Sequence, residues 1–293
     1  MTDLNKFKGI FPALLTPFNE KNEINEKALE KLIDYNIQKG VTGFYVGGST
    51  AEAFLLSDEE RLQVYRLVKE IVGKRCTLIA HIGCISTRQT IMFGEYAQSL
   101  GYDAISAVAP FYYKFTFDEI KQHYFDVVDQ VDLPMLIYNF PAFSGVNLTT
   151  ENLKEFLNDE RFIGVKHTSN DYFALEQFKT AFPHKIFYNG FDEMFLAGLS
   201  MGADGGIGST YNFMAEKFIK MQQLFNEEKH SEAFEVQQTA NKIIAALIKV
   251  GVFQGEKAVL NMLGFDFGDV RAPFKGISKE NYDYIEKTVL PLL

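Results

Sequence analysis

A repeat runs along this chain: short apolar segments, each closed by glycine, proline, a hydroxyl residue or a polar strand end, alternate with stretches of helical character. Candidate strands are Ile10 to Leu15, Gly43 to Val46, Thr77 to Ile82, Ala104 to Ala109, Pro134 to Phe140, Phe162 to Thr168, Lys185 to Tyr188 and Gly205 to Ile207. Their trailing residues Thr16, Ser49, Gly83, Pro110, Tyr138, Lys166, Gly190 and Gly208 lie 33, 34, 27, 28, 28, 24 and 18 positions apart, each about one strand-helix unit. Strands that alternate with helices build a parallel sheet, and eight such units close a cylinder. The expected fold is therefore α/β, a TIM (β/α)8 barrel.

The intervening segments carry helical spacing. Leu29, Leu32, Ile33 and Ile37 precede Gly40, with Asn25 placed as an N-cap. Val64, Leu67, Val68 and Ile71 repeat the pattern behind a Ser57/Glu60 capping box. Beyond Thr210 the strand signal stops. Val236, Ala240, Ile243, Ile244, Leu247 and Ile248 mark one face of a long helix, followed by helices near Glu256 to Leu263 and Lys279 to Val289. Residues 1–212 are expected to form the barrel, and 213–293 the last barrel helix and a C-terminal helical extension, packed as one unit with no linker.

Composition narrows the functional classes. A chain of 293 residues that is 47% hydrophobic can bury a large core. The net charge of −9 without a basic cluster argues against a nucleic-acid partner. No apolar run approaches the roughly twenty residues of a membrane helix, and Gly9 to Phe18 is broken by Pro12 and Pro17. Cys76 and Cys84 do not make a disulfide scaffold and read as reduced thiols, which points to the cytoplasm. His81, His123, His167, His184 and His230 are scattered without ligand spacing, so no metal is expected, and His81 reads as a satisfied structural histidine.

The chemistry centres on Lys166, inside the strand-like run Phe162 to Thr168. Burying an ammonium group is costly, so a lysine there either reaches water at a strand end or sheds its proton and becomes a nucleophilic amine able to form a Schiff base. Alternation puts Gly164, Lys166 and Thr168 on one face and Val165 and His167 on the other. With Lys166 pointing inward, Gly164 leaves room beneath the amine and Thr168 offers a hydroxyl to whatever the amine holds. Tyr138 ends the preceding strand and projects into the same mouth; at an ordinary pKa of about 10 its phenol relays or donates a proton.

Three loops complete the mouth. Gly47 to Glu52 places Ser49 and Glu52 at capping-box spacing, with glycines that let backbone N–H groups approach an anion. Gly190-Phe191-Asp192-Glu193 offers carboxylates suited to a polyol, and Gly206 to Thr210 offers amides or a phosphate cradle. Phe111 to Phe117 packs five aromatics into seven positions, a density that calls for burial within the barrel or against a second subunit.

Together Gly47-Gly48-Ser49-Thr50, Tyr138 with Asn139 and Pro141, Gly164-Val165-Lys166 and Gly190-Phe191-Asp192-Glu193 resemble the pyruvate-dependent class I aldolases of the dihydrodipicolinate synthase and N-acetylneuraminate lyase family, over nearly the whole chain. Two positions side with the lyase branch: Phe143 where the synthases carry arginine, and Ser49 where they carry threonine. One position departs, Ala51 standing where the family commonly has glycine. The resemblance implies Lys166, Tyr138 and Tyr112 as catalytic residues, Tyr112 being donated by a neighbouring subunit of a homotetramer. It further implies that Ser49, Thr50, Thr168, Gly190, Asp192, Glu193, Gly208 and Ser209 bind the substrate. The implied reaction is cofactor-free cleavage of sialic acid to pyruvate and N-acetylmannosamine. The alternatives are a related aldolase for a 2-keto-3-deoxy sugar acid, a sugar-acid sensor without catalysis, and a phosphosugar isomerase.

Overall fold

The computed structural model describes residues 3–293. Eight parallel strands form one sheet: β1 (Gly9–Pro12), β2 (Gly43–Val46), β3 (Thr77–His81), β4 (Ala104–Val108), β5 (Met135–Asn139), β6 (Phe162–His167), β7 (Ile186–Asn189) and β8 (Gly205–Gly208). Neighbours in sequence are neighbours in space, and β8 pairs with β1. The parallel bridge between Ala13 and Tyr45 then joins β1 to β2, with Leu14 N donating to Tyr45 O at 2.9 Å, so the sheet closes on itself. Strand β1 is shorter than expected because regular pairing ends at Pro12: Ala13 and Leu14 make only the single bridge to β2, and Leu15 N donates instead to Asn212 Oδ1.

Helices cover the cylinder: α1 (Glu26–Lys39), α2 (Asp58–Val72), α3 (Thr87–Leu100), α4 (Phe117–Gln130), α5 (Pro141–Ser144), α6 (Thr150–Leu157), α7 (Tyr172–Ala181), α8 (Phe195–Ser200) and α9 (Tyr211–Asn226). Asn25 caps α1 through Ala28 N, and Ser57 and Glu60 form a reciprocal capping box on α2, as expected from their spacing. Three further helices follow, α10 (His230–Val250), α11 (Val252–Met262) and α12 (Lys279–Thr288). On α10 the expected buried face includes Ile248, but Ile248 is 60% exposed because that end of the helix rises over the barrel mouth. Helix α11 begins four residues before the expected Glu256, directly after Gly251. Among the described residues no helix is long and apolar enough to cross a membrane.

The core has two layers. Phe11, Tyr45, Ile79, Leu136, Ile163, Tyr188 and Ile207 belong to a cluster inside the cylinder, while residues such as Phe44, Leu78, Phe162, Val165 and Phe187 pack between strands and helices. Period-two alternation produces this split, one face inward and one outward. Small residues permit the closest strand approaches. A Cβ on Gly205 would strike the carbonyl of Gly9 across the β1/β8 seam, and one on Gly164 would strike the carbonyl of Ile186. Gly164 is thus needed to admit the β7 backbone rather than to make room beneath Lys166.

Because the obstruction at Gly205 is backbone, the seam must shift to admit a methyl group. We expect Gly205→Ala to destabilise the protein by about 1–3 kcal/mol, measured as a lowered urea midpoint; an unchanged midpoint would mean that the seam is not tightly closed.

Candidate active site

The β6 strand departs from simple alternation, and this departure aims Lys166. Met135 pairs with Phe162 but Leu136 pairs with Gly164, leaving Ile163 as an extra residue without a partner. Counting by twos from outward-facing Phe162 would put Lys166 outside; the bulge shifts the phase by one and turns it inward. Its Nζ lies 4.2 Å from the ring centroid of Tyr138 and 4.4 Å from that of Tyr45, and the residue is only 5% exposed. Desolvation lowers the amine pKa to about 7, against a smaller opposing pull from Asp192. Lys166 is therefore substantially unprotonated near neutrality and available as a nucleophile.

Tyr138 sits beside it on β5, paired in register with Lys166. Burial raises its phenol pKa, while the Ser49 and Thr168 hydroxyls pull the other way. Neither hydroxyl makes a hydrogen bond of regular geometry to the phenol, and Thr168 Oγ1 is buried without a partner. Such an unspent hydroxyl in a cleft is suited to a ligand. Tyr45, which the sequence did not single out, anchors the other side of the amine, its hydroxyl donating to Ser106 Oγ at 3.0 Å. His81 is fully buried, with Nδ1 3.0 Å from the Gly47 carbonyl and Nε2 accepting from Val108 N. Burial and the nearby Arg61 charge lower its pKa to about 3, so it stays neutral and structural, as expected. His167 faces away, bonded to Asn139 and the Asp171 carbonyl.

The loop after β2 differs from its expected form. Ser49–Ala51 is a single 3-10 turn whose N-cap is Gly48, and no Ser49/Glu52 capping box forms. Glu52 adopts a left-handed backbone, φ +55°, and its carboxylate turns away to Lys257 of α11. A three-residue turn followed by a left-handed residue cannot return the glutamate to the cap. Ser49 and Thr50 nonetheless line the cleft, and Gly47 supplies the positive φ of +75° that starts the loop.

Opposite lies the loop after β7. Asp192 Oδ2 accepts from both the N–H and the hydroxyl of Thr210, at 2.9 and 2.6 Å, tying this loop to the one after β8. Burial raises the Asp192 pKa to about 6 despite those bonds. Helix α10 supports the same loop: Gln237 Nε2 donates to Asp192 O and Asn241 Nδ2 to Glu193 O. Gly190, Glu193 and Ser209 line the cleft with Asp192. Gly208 is not among the lining residues; a Cβ there would collide with the Asp192 carboxylate, so its smallness serves that carboxylate.

The resulting cleft has a volume of about 260 Å³ and is also lined by Thr168, Phe140, Phe143 and an apolar wall from Ile244, Leu247, Ile248, Val252 and Phe253. That wall was missed because Ile244, Leu247 and Ile248 read as an ordinary core face of α10, and Val252 and Phe253 lie before the expected start of α11. Beneath the β8 loop lies another missed residue, Glu256, fully buried with both carboxylate oxygens unpartnered and a pKa raised to about 8 by desolvation. An acid inside an apolar helix was the available signal. Tyr112, by contrast, does not line the cleft. It is 83% exposed at φ +78° and stacks edge-on against Tyr113, also exposed, so these two tyrosines do not cap the barrel within one chain, whereas Phe111 packs against the inner cluster and Phe115 and Phe117 against the outer core.

A buried lysine of lowered pKa, a facing phenol and a hydroxyl-lined loop are arranged for imine chemistry on a small oxo acid. The curated and structural relatives agree with this geometry. An N-acetylneuraminate lyase of Rhizobium meliloti (strain 1021) is 43% identical over 288 residues, covering 98% of this chain and 96% of that protein. The structure of CdNal from Clostridium difficile in complex with mannosamine superposes with a TM-score of 0.96 at 38% identity, covering 100% of both chains. That of N-acetylneuraminate lyase from Fusobacterium nucleatum complexed with pyruvate gives 0.94 at 38% identity, covering 98% of each. The model of the dihydrodipicolinate synthetase family matches residues 6–291, and the chain belongs to that family.

Proposed function

We propose that this protein is a class I aldolase that cleaves N-acetylneuraminate reversibly to pyruvate and N-acetylmannosamine through a Schiff base on Lys166. The observation that carries the reading is the Lys166 amine itself, desolvated to a pKa of about 7 and held over two phenol rings. The names borne by its relatives supply the substrate.

In this reading Ser49 and Thr50 hold the substrate carboxylate while the amine attacks the C2 ketone and expels water. The protonated imine then accepts the electron pair of the C3–C4 bond as the C4 hydroxyl loses its proton, releasing the aldehyde and leaving an enamine. Tyr138, whose raised pKa keeps it a phenol, relays that proton together with the substrate carboxylate. Thr168 offers its unpartnered Oγ1 to the C4 hydroxyl. The enamine is protonated at C3 and water hydrolyses the imine, freeing pyruvate and the amine; atoms and charge balance without a cofactor. Asp192, Glu193, Gly190 and Ser209 receive the polyol tail, with Gly208 acting through the Asp192 it accommodates. The same reading carries a cytoplasmic homotetramer in which the exposed Tyr112 of one subunit completes the site of another; its exposure supports this role.

Borohydride reduction in the presence of pyruvate should add the mass of one reduced pyruvate to Lys166; an unmodified Lys166 peptide would remove the basis of the proposal. Lys166→Met should form no adduct and lose turnover. The depressed pKa means that the unfolded chain binds more protons than the folded one between about pH 7 and 10.5, a linkage that costs stability at neutral pH. Methionine lacks this penalty, so the variant should be more stable by about 0.5–2 kcal/mol in urea titration. Tyr138→Phe should still trap pyruvate yet cleave sialic acid roughly 10²–10⁴-fold more slowly in kcat; equal losses in trapping and cleavage would assign it a binding role only. Because the neutral amine is the reactant, imine formation should rise with pH through about 7. An inflection at the ordinary lysine value of about 10.4 would contradict the desolvated site.

A further inference from the structure

Behind the loop after β2 lies a buried ion pair that the reaction does not use directly. Lys257 Nζ is 2.6 Å from Glu52 Oε1, and both residues are almost completely buried, Lys257 at 1% and Glu52 at 3% exposure. Each partner has a second anchor in the C-terminal segment. Lys257 donates to Asp269 O at 2.9 Å and lies over the Phe18 ring, while Glu52 Oε2 accepts from Arg271 N at 2.6 Å. Arg271 in turn pairs with Glu60 at 2.6 Å, in the capping box of α2.

Glu52 is where the chain leaves the Ser49–Ala51 turn, and its φ of +55° is one that non-glycine residues seldom adopt. No side-chain cap forms there, since the Glu52 carboxylate makes no bond back to Ser49; the local bonds are backbone ones, Glu52 N–H donating to Ser49 O at 3.0 Å and Leu55 N–H to Glu52 O at 2.8 Å. What holds the carboxylate is the pair of contacts from α11 and Arg271. The turn it terminates presents Ser49 and Thr50 to the cleft, and Thr16 Oγ1 donates to the Ala51 carbonyl within the same turn.

We propose that Lys257 is a positioning residue for substrate binding: through its ion pair with Glu52 it locks the left-handed exit of the β2 loop and thereby sets the Ser49-Thr50 hydroxyls that receive the keto-acid carboxylate. The proposal rests on the aldolase reading above. It assigns to the C-terminal helices a part in substrate affinity as well as in packing.

Removing one member of a buried pair strands the other charge, so Lys257→Met alone is prone to misfold. Two charge-free double variants avoid this. Glu52→Gln/Lys257→Met deletes the pair and leaves a side chain that resists a left-handed backbone. Glu52→Gly/Lys257→Met deletes the pair but supplies glycine, which adopts positive φ without strain. The measurement is the pyruvate concentration giving half-maximal borohydride-trapped adduct on Lys166, together with kcat at saturating substrate. The glutamine variant should need roughly 10- to 100-fold more pyruvate, with kcat changing much less, and the glycine variant should recover most of the affinity. Wild-type affinity in the glutamine variant, or no recovery in the glycine variant, would overturn the positioning role. Absence of any pyruvate adduct in the wild type is a different result: it sinks the aldolase reading, and this proposal with it.

Discussion

Desolvation of one amine organises the structure. Lys166 is enclosed by the inner wall of the cylinder with aromatic faces, rather than carboxylates, as its nearest neighbours. A contacting carboxylate would hold the lysine in its protonated form and remove the nucleophile. Asp192 is the charge that opposes desolvation, and its own carboxylate is committed to Thr210 and raised in pKa by burial. The site therefore combines a weakened cation with a weakened anion. This arrangement favours reactivity over stability, and the well-packed barrel around it bears the cost.

The two ends of the substrate cleft are held from outside the barrel. Gln237 and Asn241 of α10 bond to the backbone carbonyls of Asp192 and Glu193, and Lys257 of α11 bonds to Glu52. The tips of these helices also provide the apolar wall of Ile244, Leu247, Ile248, Val252 and Phe253. The exposed Ile248 makes sense in that setting, since it stands at the mouth rather than in a core. Loops at a barrel mouth are the variable part of such a fold, and here the loops after β2 and β7 are each fastened to a helix distant in sequence.

Much of the architecture was legible in the chain because it rests on local signals. Apolar runs at a spacing of one strand-helix unit, the Asn25 cap and the Ser57/Glu60 box each correspond to features of the structure. Lys166 and Tyr138 were legible for a related reason: a charged or polar residue in an apolar strand stands out against its surroundings. Less visible were residues whose surroundings are made by distant parts of the chain. Tyr45 looks like any strand aromatic until it faces Lys166, and although Glu256 and Lys257 stand in an apolar helix, their burial appears only once α11 is packed against the barrel. The spacing of Ser49 and Glu52 pointed to a cap that long-range attraction to Lys257 replaces.

What the amino-acid order determined by itself was the alternation of strand and helix, the number of units and the types of reactive group at strand ends, since these follow from periodicity and local capping. Tertiary structure decided where those groups point. The unpaired Ile163 inverts the face on which Lys166 lies, and a bulge is visible only once two strands are aligned. Likewise the Glu52 carboxylate, at a left-handed turn, meets a buried cation from a helix more than two hundred residues away, a contact that no local rule of spacing can express.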